Sequence, residues 1–226
     1  MSSKGKCLYC GRLFDQHEMT NHLSMHIDEE VEKKPALRAS AFYLKFESGD
    51  YFLHLLVKQN CTLRELDRFL RDIWLDCCGH SSEFIDRGHS VAMKWEIGQC
   101  MIEGMRWIYQ YDFGDTTTLK VSVIRRFCIA MKKNITILSR NEPLKILCDK
   151  CKTHPAMTIC PIHYHEEDNG RFCHLCSITH ERECLNYNED FMLPVVNSPR
   201  MGVCGYEGGN IDKERDKPYQ DRSNIN

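Results

Sequence analysis

The stretch AFYLKFESGDYFLHLLV, residues 41–57, predicts a β-hairpin. Apolar and polar side chains alternate over its first half, which is the pattern of a strand with one buried face. A Ser-Gly-Asp turn follows, and the apolar run from Tyr51 to Val57 predicts the returning strand. The first alternation sets Phe42, Leu44 and Phe46 against Tyr43, Lys45 and Glu47. A sheet therefore begins in this region.

A helix is predicted directly after the hairpin. Thr62 and Glu65 have the spacing of a capping box, which satisfies two backbone amides at a helix start. Apolar residues then recur at helical spacing to about Trp74. Further strands are predicted at residues 82–86, 92–96, 105–111, 119–127 and 134–138. One main helix among runs of strands predicts an α+β fold with a central, antiparallel-rich sheet.

Three motifs of this central region resemble one known family. They are Thr62-Leu63-x-x-Leu66-Asp67, Trp74-x5-His80-x2-Glu83-Phe84 and Tyr111-Asp112-Phe113-Gly114-Asp115. Over residues 40–140 the chain is similar to the plasmid pRi ORF-three-like family, although Thr117-Thr118 stand where that family often carries Trp. The resemblance implies a compact α+β domain at 41–145. That family includes a group of proteins carried as passengers by insertion elements, so the resemblance also implies a mobile-element link to nucleic-acid work.

The segment Cys7-x2-Cys10-x11-His22-x3-His26 has the spacing of a zinc-binding finger. A CxxC turn places two thiolates together, and two histidines four residues apart on a helix close the tetrahedron. The segment resembles the two-Cys two-His finger family, with Phe14 and Leu23 as its small core. We therefore expect a finger at residues 1–27, followed by a charged, solvated linker at 28–40.

The finger alone predicts little about DNA. A lone finger reads about three base pairs, which is too few for specific binding. Its helix begins with Gln16, His17, Glu18, Asn21 and Ser24 and offers no Arg or Lys there. These features favour a protein contact or a structural cap over DNA reading.

A second zinc-binding pattern lies near the C-terminus. Four ligand pairs occur in order: Cys148-x2-Cys151, Cys160-x2-His163, Cys173-x2-Cys176 and His180-x3-Cys184. Eight ligands make two tetrahedral sites, and the order fits a cross-brace in which the first and third pairs share one ion and the second and fourth pairs share the other. The spacing resembles B-box and related cross-brace zinc domains, which implies an interaction or structural module at 146–186.

Two alternatives stay open for this module. A plain ribbon would use only the four cysteines of the first and third pairs, and His165 competes with His163 as a ligand. The segment has few aliphatic residues, so we expect zinc binding and folding to be one event. With the finger, the sequence predicts three Zn²⁺ ions.

The sequence predicts a binding protein rather than an enzyme. Each predicted zinc site is closed by four protein ligands, whereas catalytic zinc keeps a position for water or substrate. A hydrolase using His80, Glu83, Asp112 and Asp115 is a distant alternative, because Asp-x-Gly-Asp is also a natural turn sequence. We therefore expect no small-molecule substrate.

Composition bounds the remaining possibilities. The chain has 226 residues, 42% hydrophobic and 27% charged, with a net charge of −2, which is ordinary for a globular protein. It shows no apolar run of membrane-spanning length and no basic-then-apolar leader, so we expect a cytosolic protein without membrane contact. In a reducing cytosol, fourteen cysteines indicate metal binding rather than disulfides. We interpret Cys61, Cys77, Cys78, Cys100 and Cys128 as buried core thiols.

The end of the chain divides into two parts. An apolar run at 191–196 predicts that residues 187–206 dock back on the central domain. Cys204 lies between glycines, as either a late ligand or an exposed thiol. Residues 207–226 are charged and rich in Gly and Asn, so we expect a disordered tail.

One local charge excess suggests a partner. Residues 120–152 hold nine Lys and Arg against Glu142 and Asp149, a balance of +7. A basic stripe here would concentrate phosphates, with Arg125, Arg126, Lys132 and Lys133 as the candidate nucleic-acid contacts. The sequence thus predicts a zinc-binding adaptor that contacts nucleic acid. The alternative is a zinc-stabilised protein–protein interaction module.

Overall fold

The computed structural model describes residues 3–33, 39–167, 169–185 and 191–215. The chain divides into two compact units. The first unit comprises residues 1–70 and 80–142, and the second comprises residues 71–79 and 143–226.

The first unit starts with a ββα element. Strand β1 (Lys4–Lys6) pairs with β2 (Leu13–Asp15), and helix α1 (Gln16–Lys33) follows. Asp15 caps α1, because its Oδ1 accepts the amides of His17 at 2.8 Å and Glu18 at 2.9 Å.

Helix α1 corrects the predicted linker. It continues through Lys33, so the first part of the segment 28–40 is helical, and residues 34–38 lie outside the described ranges. Ile27 is buried and Val31 packs against the same cluster four residues later. The helix therefore still has an apolar face to bury, which the surrounding charges concealed in the sequence.

A seven-stranded antiparallel sheet forms the body of the first unit. Its strands are β3 (Ser40–Ser48), β4 (Tyr51–Lys58), β5 (Ser82–Asp86), β6 (His89–Val91), β7 (Arg106–Tyr111), β8 (Thr117–Cys128) and β9 (Ile135–Arg140). They lie in the order β6-β5-β7-β8-β3-β4-β9. A large antiparallel sheet with few helices is an α+β fold, as predicted.

The hairpin at 41–57 is β3 paired with β4, with Phe46 opposite Leu53. Both strands are buried on both faces over their central residues, whereas the alternation predicted one buried face. Lys45 is buried among them and reaches Glu47 at 2.8 Å. The alternation predicts too little burial because both strands are interior strands of the sheet and are covered on both faces.

Helix α2 (Leu63–Leu70) starts at the predicted capping box. The amide of Thr62 donates to Glu65 Oε2 at 2.8 Å, and the amide of Glu65 donates to Thr62 Oγ1 at 3.2 Å. A π-helical turn (Arg71–Leu75) follows α2, so the helical path ends within one residue of the predicted Trp74.

The strand predicted at 92–96 is absent. These residues turn into a short helix, α3 (Ile97–Cys100), whose start is a second capping box between Glu96 and Gln99. The apolar residues of this stretch thus belong to a helix entry rather than to the sheet.

The finger shares one core with the sheet. Met19, Leu23 and Ile27 of α1 pack in the same cluster as Tyr43 and Phe52 of the sheet. β1 approaches so closely that a Cβ at Gly5 would lie 2.6 Å from Phe52 Cζ. The finger is therefore built into the first unit and does not have a core of its own.

The second unit contains a three-stranded sheet and two helices. The elements are β10 (Thr158–Ile159), α4 (Pro161–Glu167), β11 (Arg171–Phe172), α5 (His174–Glu183) and β12 (Leu193–Pro194). β10 lies between β11 and β12, with antiparallel pairing on both sides.

One expectation about the end of the chain is corrected. The run at 191–196 pairs through β12 and packs in a core of the second unit, and within that unit Ser198 Oγ donates to Trp74 O at 2.6 Å. The predicted disordered tail begins with described structure: the amides of Asn210 and Ile211 donate to Asp72 O, and Lys213–Arg215 form a 3₁₀ turn. Residues 216–226 of that tail lie outside the described ranges.

The five cysteines interpreted as core thiols are not alike. Cys61 is buried, Cys77 and Cys100 are half-buried, and Cys78 and Cys128 are exposed. Cys128 takes an outward position in the alternation of β8, and Cys78 precedes a turn at Gly79. The prediction that these cysteines are buried, which used only their residue type, was therefore wrong for most of this group.

Candidate metal centres

The finger ligands converge on one point. Cys7 lies after β1, Cys10 ends the turn that follows, and His22 and His26 stand one helical turn apart on α1. Their ligand atoms all lie within 4.8 Å of one another, and Cys10 Sγ is 3.2 Å from His22 Nε2. Tetrahedral zinc with bonds of about 2.0–2.3 Å separates a sulfur and a nitrogen ligand by about 3.6 Å. This set therefore fits a zinc ion.

His26 gives a second indication of a metal. Its Nδ1 lies 3.8 Å from Glu29 Oε2, which leaves Nε2 to face the other ligands. That Nε2 is buried and has no hydrogen-bond partner in the described part of the chain. A buried imidazole nitrogen without a partner is costly unless it binds something. A metal ion would satisfy it.

The pKa values of the two finger thiols are shifted in opposite directions. The backbone amide of Arg12 lowers the pKa of the Cys10 thiol to about 5, whereas burial raises the pKa of Cys7. Zinc binds the thiolate form, so metal binding must displace a proton from Cys7.

The C-terminal ligands form two interleaved sets. Cys148, Cys151, Cys173 and Cys176 make one set, and Cys160, His163, His180 and Cys184 make the other, each with ligand atoms within 4.8 Å of one another. The first and third pairs thus come together, as do the second and fourth. This interleaving is the cross-brace arrangement. A plain ribbon would use only the first set, whereas here the second and fourth pairs also form a complete set of four ligands.

Distances inside these sets match a tetrahedral ion. Cys151 Sγ lies 4.0 Å from Cys173 Sγ, and Cys160 Sγ lies 3.4 Å from His163 Nδ1. Tetrahedral zinc places two sulfur ligands about 3.8 Å apart. His165, the competitor of His163, instead places its Nε2 3.1 Å from the carbonyl of Gly202.

Local structure holds each ligand in place. The amide of Lys152, at a φ of 57°, donates to Cys148 O and closes the first CxxC turn. Cys173 caps α5, which carries Cys176 and His180 four residues apart on one face. Burial raises the pKa of Cys176 to about 12, and the Thr153 hydroxyl lowers the pKa of Cys151 to about 5.

The interior around these sets consists largely of the ligands themselves. The buried cluster contains Cys148, Cys160, Cys173 and Phe172, and Ile162 and Met192 pack against it. Phe172 stacks on His180 at 4.2 Å between ring centroids. Without an ion this cluster would hold several thiols together with little apolar surface to bury.

A further set of potential ligands escaped the sequence interpretation. Cys77, Cys78 and Cys204 of the second unit come together. Cys77 and Cys78 lie more than 120 residues from Cys204 in the chain. The sequence offered a signal only in the adjacent cysteines and the spacing Cys77-x2-His80.

The carboxylates proposed for hydrolysis are only partly assembled. His80 Nε2 lies 3.4 Å from Asp112 Oδ2, and Asp112 Oδ1 accepts the amide of Gly114 in the predicted turn. Glu83 lies on β5 opposite Gln110. The structure thus pairs His80 with one carboxylate and gives that carboxylate a turn-forming role.

The basic stripe is not one surface. Arg125 and Arg126 are neighbours on β8 and point to opposite faces of the sheet, because side chains alternate along a strand. Arg125 lies beside Phe127 and pairs with Asp28 of α1 at 2.9 Å, whereas Arg126 lies over Phe42 and bonds Ser40.

Other members of the stripe are buried or paired. Arg140 is buried, Lys150 pairs with Glu183 at 2.7 Å, and Lys152 pairs with Asp149 at 3.3 Å. Lys132 and Lys133 are exposed, and neither forms an ion pair with another described residue. They are the members of the stripe that remain available to a phosphate.

Lys132 and Lys133 border a cleft of 390 Å³ in the first unit. Its apolar lining comes from the finger turn, the loop after β8 and the adjoining strands, and includes Leu8, Leu56, Ile129, Met131 and Ile137. Tyr9 and Glu30 also line it, with the Tyr9 hydroxyl 3.3 Å from Glu30 Oε2.

Within the described ranges, no helix has the length and apolar character needed to cross a membrane.

Comparison with known proteins adds one weak likeness. No family model and no curated protein matches the chain. Among solved structures, it is similar to MM3350, a protein of unknown function from Methanosarcina mazei Go1, at 16% identity and a TM-score of 0.38. The likeness covers 45% of this chain and 67% of that protein. It carries no functional argument, and the resemblance to the plasmid pRi ORF-three-like family stays a prediction.

Proposed function

We propose that the protein is a non-enzymatic zinc-binding adaptor whose first unit contacts single-stranded nucleic acid. The observation that carries this proposal is the cleft with an apolar lining and the two unpaired lysines, Lys132 and Lys133, at its edge. Proteins that bind single strands combine positive charge along the backbone with aromatic side chains on which bases stack, and Tyr9 supplies an aromatic ring in the lining of this cleft. This cleft offers both kinds of contact.

The closed metal sets support a structural role for the ions. The three predicted zinc sets each provide four protein ligands within 4.8 Å of one another. Four protein ligands complete a tetrahedron, so no coordination position remains for a reacting water. The ions would hold the binding surfaces in shape rather than perform chemistry.

The charge around the cleft limits the expected affinity. Arg125 lies on the same face of the sheet as the cleft, but it is already paired with Asp28. Glu30 places a negative charge in the lining of the cleft. Two lysines therefore contribute most of the phosphate contact. With a slope of about −0.7 per contact for single strands, a fourfold rise in salt should weaken binding about sevenfold.

Fluorescence anisotropy tests this proposal directly. Zinc-loaded protein is titrated with random single-stranded DNA, RNA and duplex DNA at two salt concentrations that differ fourfold. We expect single strands to bind best, and the double variant K132Q/K133Q to lose most of the affinity and its salt dependence. The matched control K94Q/K120Q removes two exposed charges that do not line the cleft.

Two results would reject the nucleic-acid proposal. One is the absence of binding at the lower salt concentration. The other is binding that K132Q/K133Q and K94Q/K120Q weaken equally, because such binding would not depend on the cleft.

A protein partner is the second candidate function. Leu175 and Ile178 are 56% and 41% exposed and lie three residues apart, on one face of α5. An exposed apolar pair on a metal-held helix is suited to a protein contact. A partner that binds in a salt-insensitive way should be lost with L175S/I178S. It should be retained with M25S, which alters a similarly exposed residue on α1.

A further inference from the structure

Three thiols of the second unit converge outside the predicted zinc sites. Cys78 Sγ lies 3.9 Å from Cys77 Sγ and 3.8 Å from Cys204 Sγ. Sulfur ligands on a tetrahedral zinc ion are about 3.8 Å apart. The three sulfurs therefore have the spacing of a coordination sphere, although they come from two distant segments.

The backbone around these cysteines resembles that of the other ligand turns. In the finger and in the cross-brace, the residue after the second cysteine has a positive φ: 75° at Gly11 and 57° at Lys152. Gly79, directly after Cys78, has a φ of 81°. The same local geometry thus follows a cysteine at all three places.

Cys204 itself has an unusual conformation. Its φ is 50° and that of Gly205 is 66°, in a turn closed by the amide of Tyr206 donating to Val203 O at 3.0 Å. Positive φ is uncommon for residues other than Gly, Asn and Asp. Such backbone strain concentrates at functional positions, and here it places a thiol beside Cys78.

A fourth ligand follows from the chain itself. His80 stands at Cys77-x2-His80, the same spacing as Cys160-x2-His163 in the cross-brace. Its Nε2 lies 3.4 Å from Asp112 Oδ2. Metal-binding histidines commonly direct their other ring nitrogen to a carboxylate, which fixes the ring orientation.

The surroundings of Cys77 favour a charged thiolate set. Arg200 is buried, and its guanidinium lies 3.7 Å from Cys77 Sγ. Three thiolates exceed the charge of a divalent ion by one, and a nearby guanidinium offsets that excess. Cys77 also packs against the apolar cluster of the second unit, which holds the site away from water on one side.

We propose that Cys77, Cys78 and Cys204 of the second unit bind a fourth structural zinc ion, with His80 as the fourth ligand that the spacing Cys77-x2-His80 offers. Three thiolates and one imidazole are a ligand set that zinc prefers, and four protein ligands close the site. Within the second unit, the ion would join the segment 71–79 to the turn at Cys204. This proposal does not depend on nucleic-acid binding.

The first test is the number and kind of metal ions in the intact protein. Native mass spectrometry of the full chain, purified with zinc under reducing conditions, should give four ions per chain. After exchange with cadmium, ¹¹³Cd NMR should give four resonances, because the shift increases with the number of thiolate ligands. The four sets would have two, two, three and four thiolates, so one resonance should lie between those of the other kinds.

Variants connect that ion to these residues. C78S/C204S should bind three ions and lose the intermediate ¹¹³Cd resonance, while the other three resonances remain. The control C100S/C128S changes two cysteines outside every set and should keep four ions. H80Q should move or remove the intermediate resonance alone.

Three outcomes would overturn the proposal. The first is three ions in the wild-type protein without an intermediate resonance. The second is a disulfide between Cys78 and Cys204 that persists in protein purified with zinc under reducing conditions. The third is an intermediate resonance that C78S/C204S leaves unchanged. Because the wild-type measurements need no variant, a folding defect in C78S/C204S would not obscure the result.

Discussion

The sheet of the first unit and the cross-brace of the second unit bury different kinds of side chain. The sheet encloses large apolar residues such as Phe46, Phe52 and Tyr109. The cross-brace cluster encloses Cys148, Cys160 and Cys173. Apolar burial stabilises the first region by removing surface from water. The ligand cluster of the second region has little such surface, so we expect its stability to depend on metal binding.

The finger combines features of both regions. Its ligand set consists of four protein side chains, like each set of the cross-brace. Cys7 and Leu23, however, also belong to a core shared with the sheet. A metal site can therefore either supply the core of a region or be attached to a core that already exists. The comparison predicts that the loss of metal affects the two sites very differently.

The largest expected effect is that of Cys173→Ser. Structural zinc contributes on the order of 10 kcal/mol to small metal-dependent folds, which is comparable to the whole stability of a domain. We expect residues 146–185 to unfold while the sheet persists. Limited proteolysis with mass mapping measures this outcome.

Cys10→Ser is the matched variant in the finger. It removes one finger ligand but leaves the shared core intact, so the sheet should keep its protection and only the finger turn should become sensitive. Equal damage from C173S and C10S would show that the two metal sites do not differ in this way.

A smaller effect is expected from Leu23→Ala. Leu23 is fully buried where α1 meets the sheet, and truncation of a buried leucine costs about 2–5 kcal/mol. Denaturant unfolding should show that loss in the first unit with an unchanged zinc content. Leu13→Ala, at an exposed position, should change stability by less than about 0.5 kcal/mol. A loss of zinc in L23A that precedes unfolding would show that the metal, not the core, holds α1.

The smallest effect concerns His54, which is buried with its Nδ1 2.7 Å from the Tyr43 hydroxyl. Burial lowers the pKa of His54 to about 3, so the unfolded chain takes up a proton first as the pH falls below about 6.5. The contribution of neutral His54 to the free energy of unfolding is therefore complete above that pH and is lost below it. The free energy of unfolding should fall by about 1.4 kcal/mol between pH 7.5 and 5.5. Denaturant unfolding at both pH values should show a smaller loss in His54→Gln. An equal loss in both proteins would assign the pH dependence to other groups.

Much of the fold could be predicted because its signals are local. The hairpin at 41–57, the capping box at Thr62 and the strand at 82–86 each depend on residues close in sequence. The interleaved ligand sets also follow from spacing, since CxxC turns and helical pairs fix ligand geometry locally.

The features that escaped prediction depend on distant contacts. The set around Cys77 requires a turn more than 120 residues away, and no local pattern announces that encounter. The basic stripe failed for the same reason: strand alternation separates Arg125 from Arg126, and Asp28 of a different element neutralises one of them. Formal charge in a segment does not show which charges remain unpaired after folding.

Hydrogen exchange with mass spectrometry, before and after removal of metal by a strong chelator, tests the central comparison most directly. We expect peptides from residues 146–185 to lose their protection, while peptides from β3, β4 and β8 keep theirs. Protection of the cross-brace that survives complete metal removal would show that its fold does not depend on metal. Simultaneous loss of protection in the cross-brace and the sheet would show that the two regions do not differ in their dependence on metal.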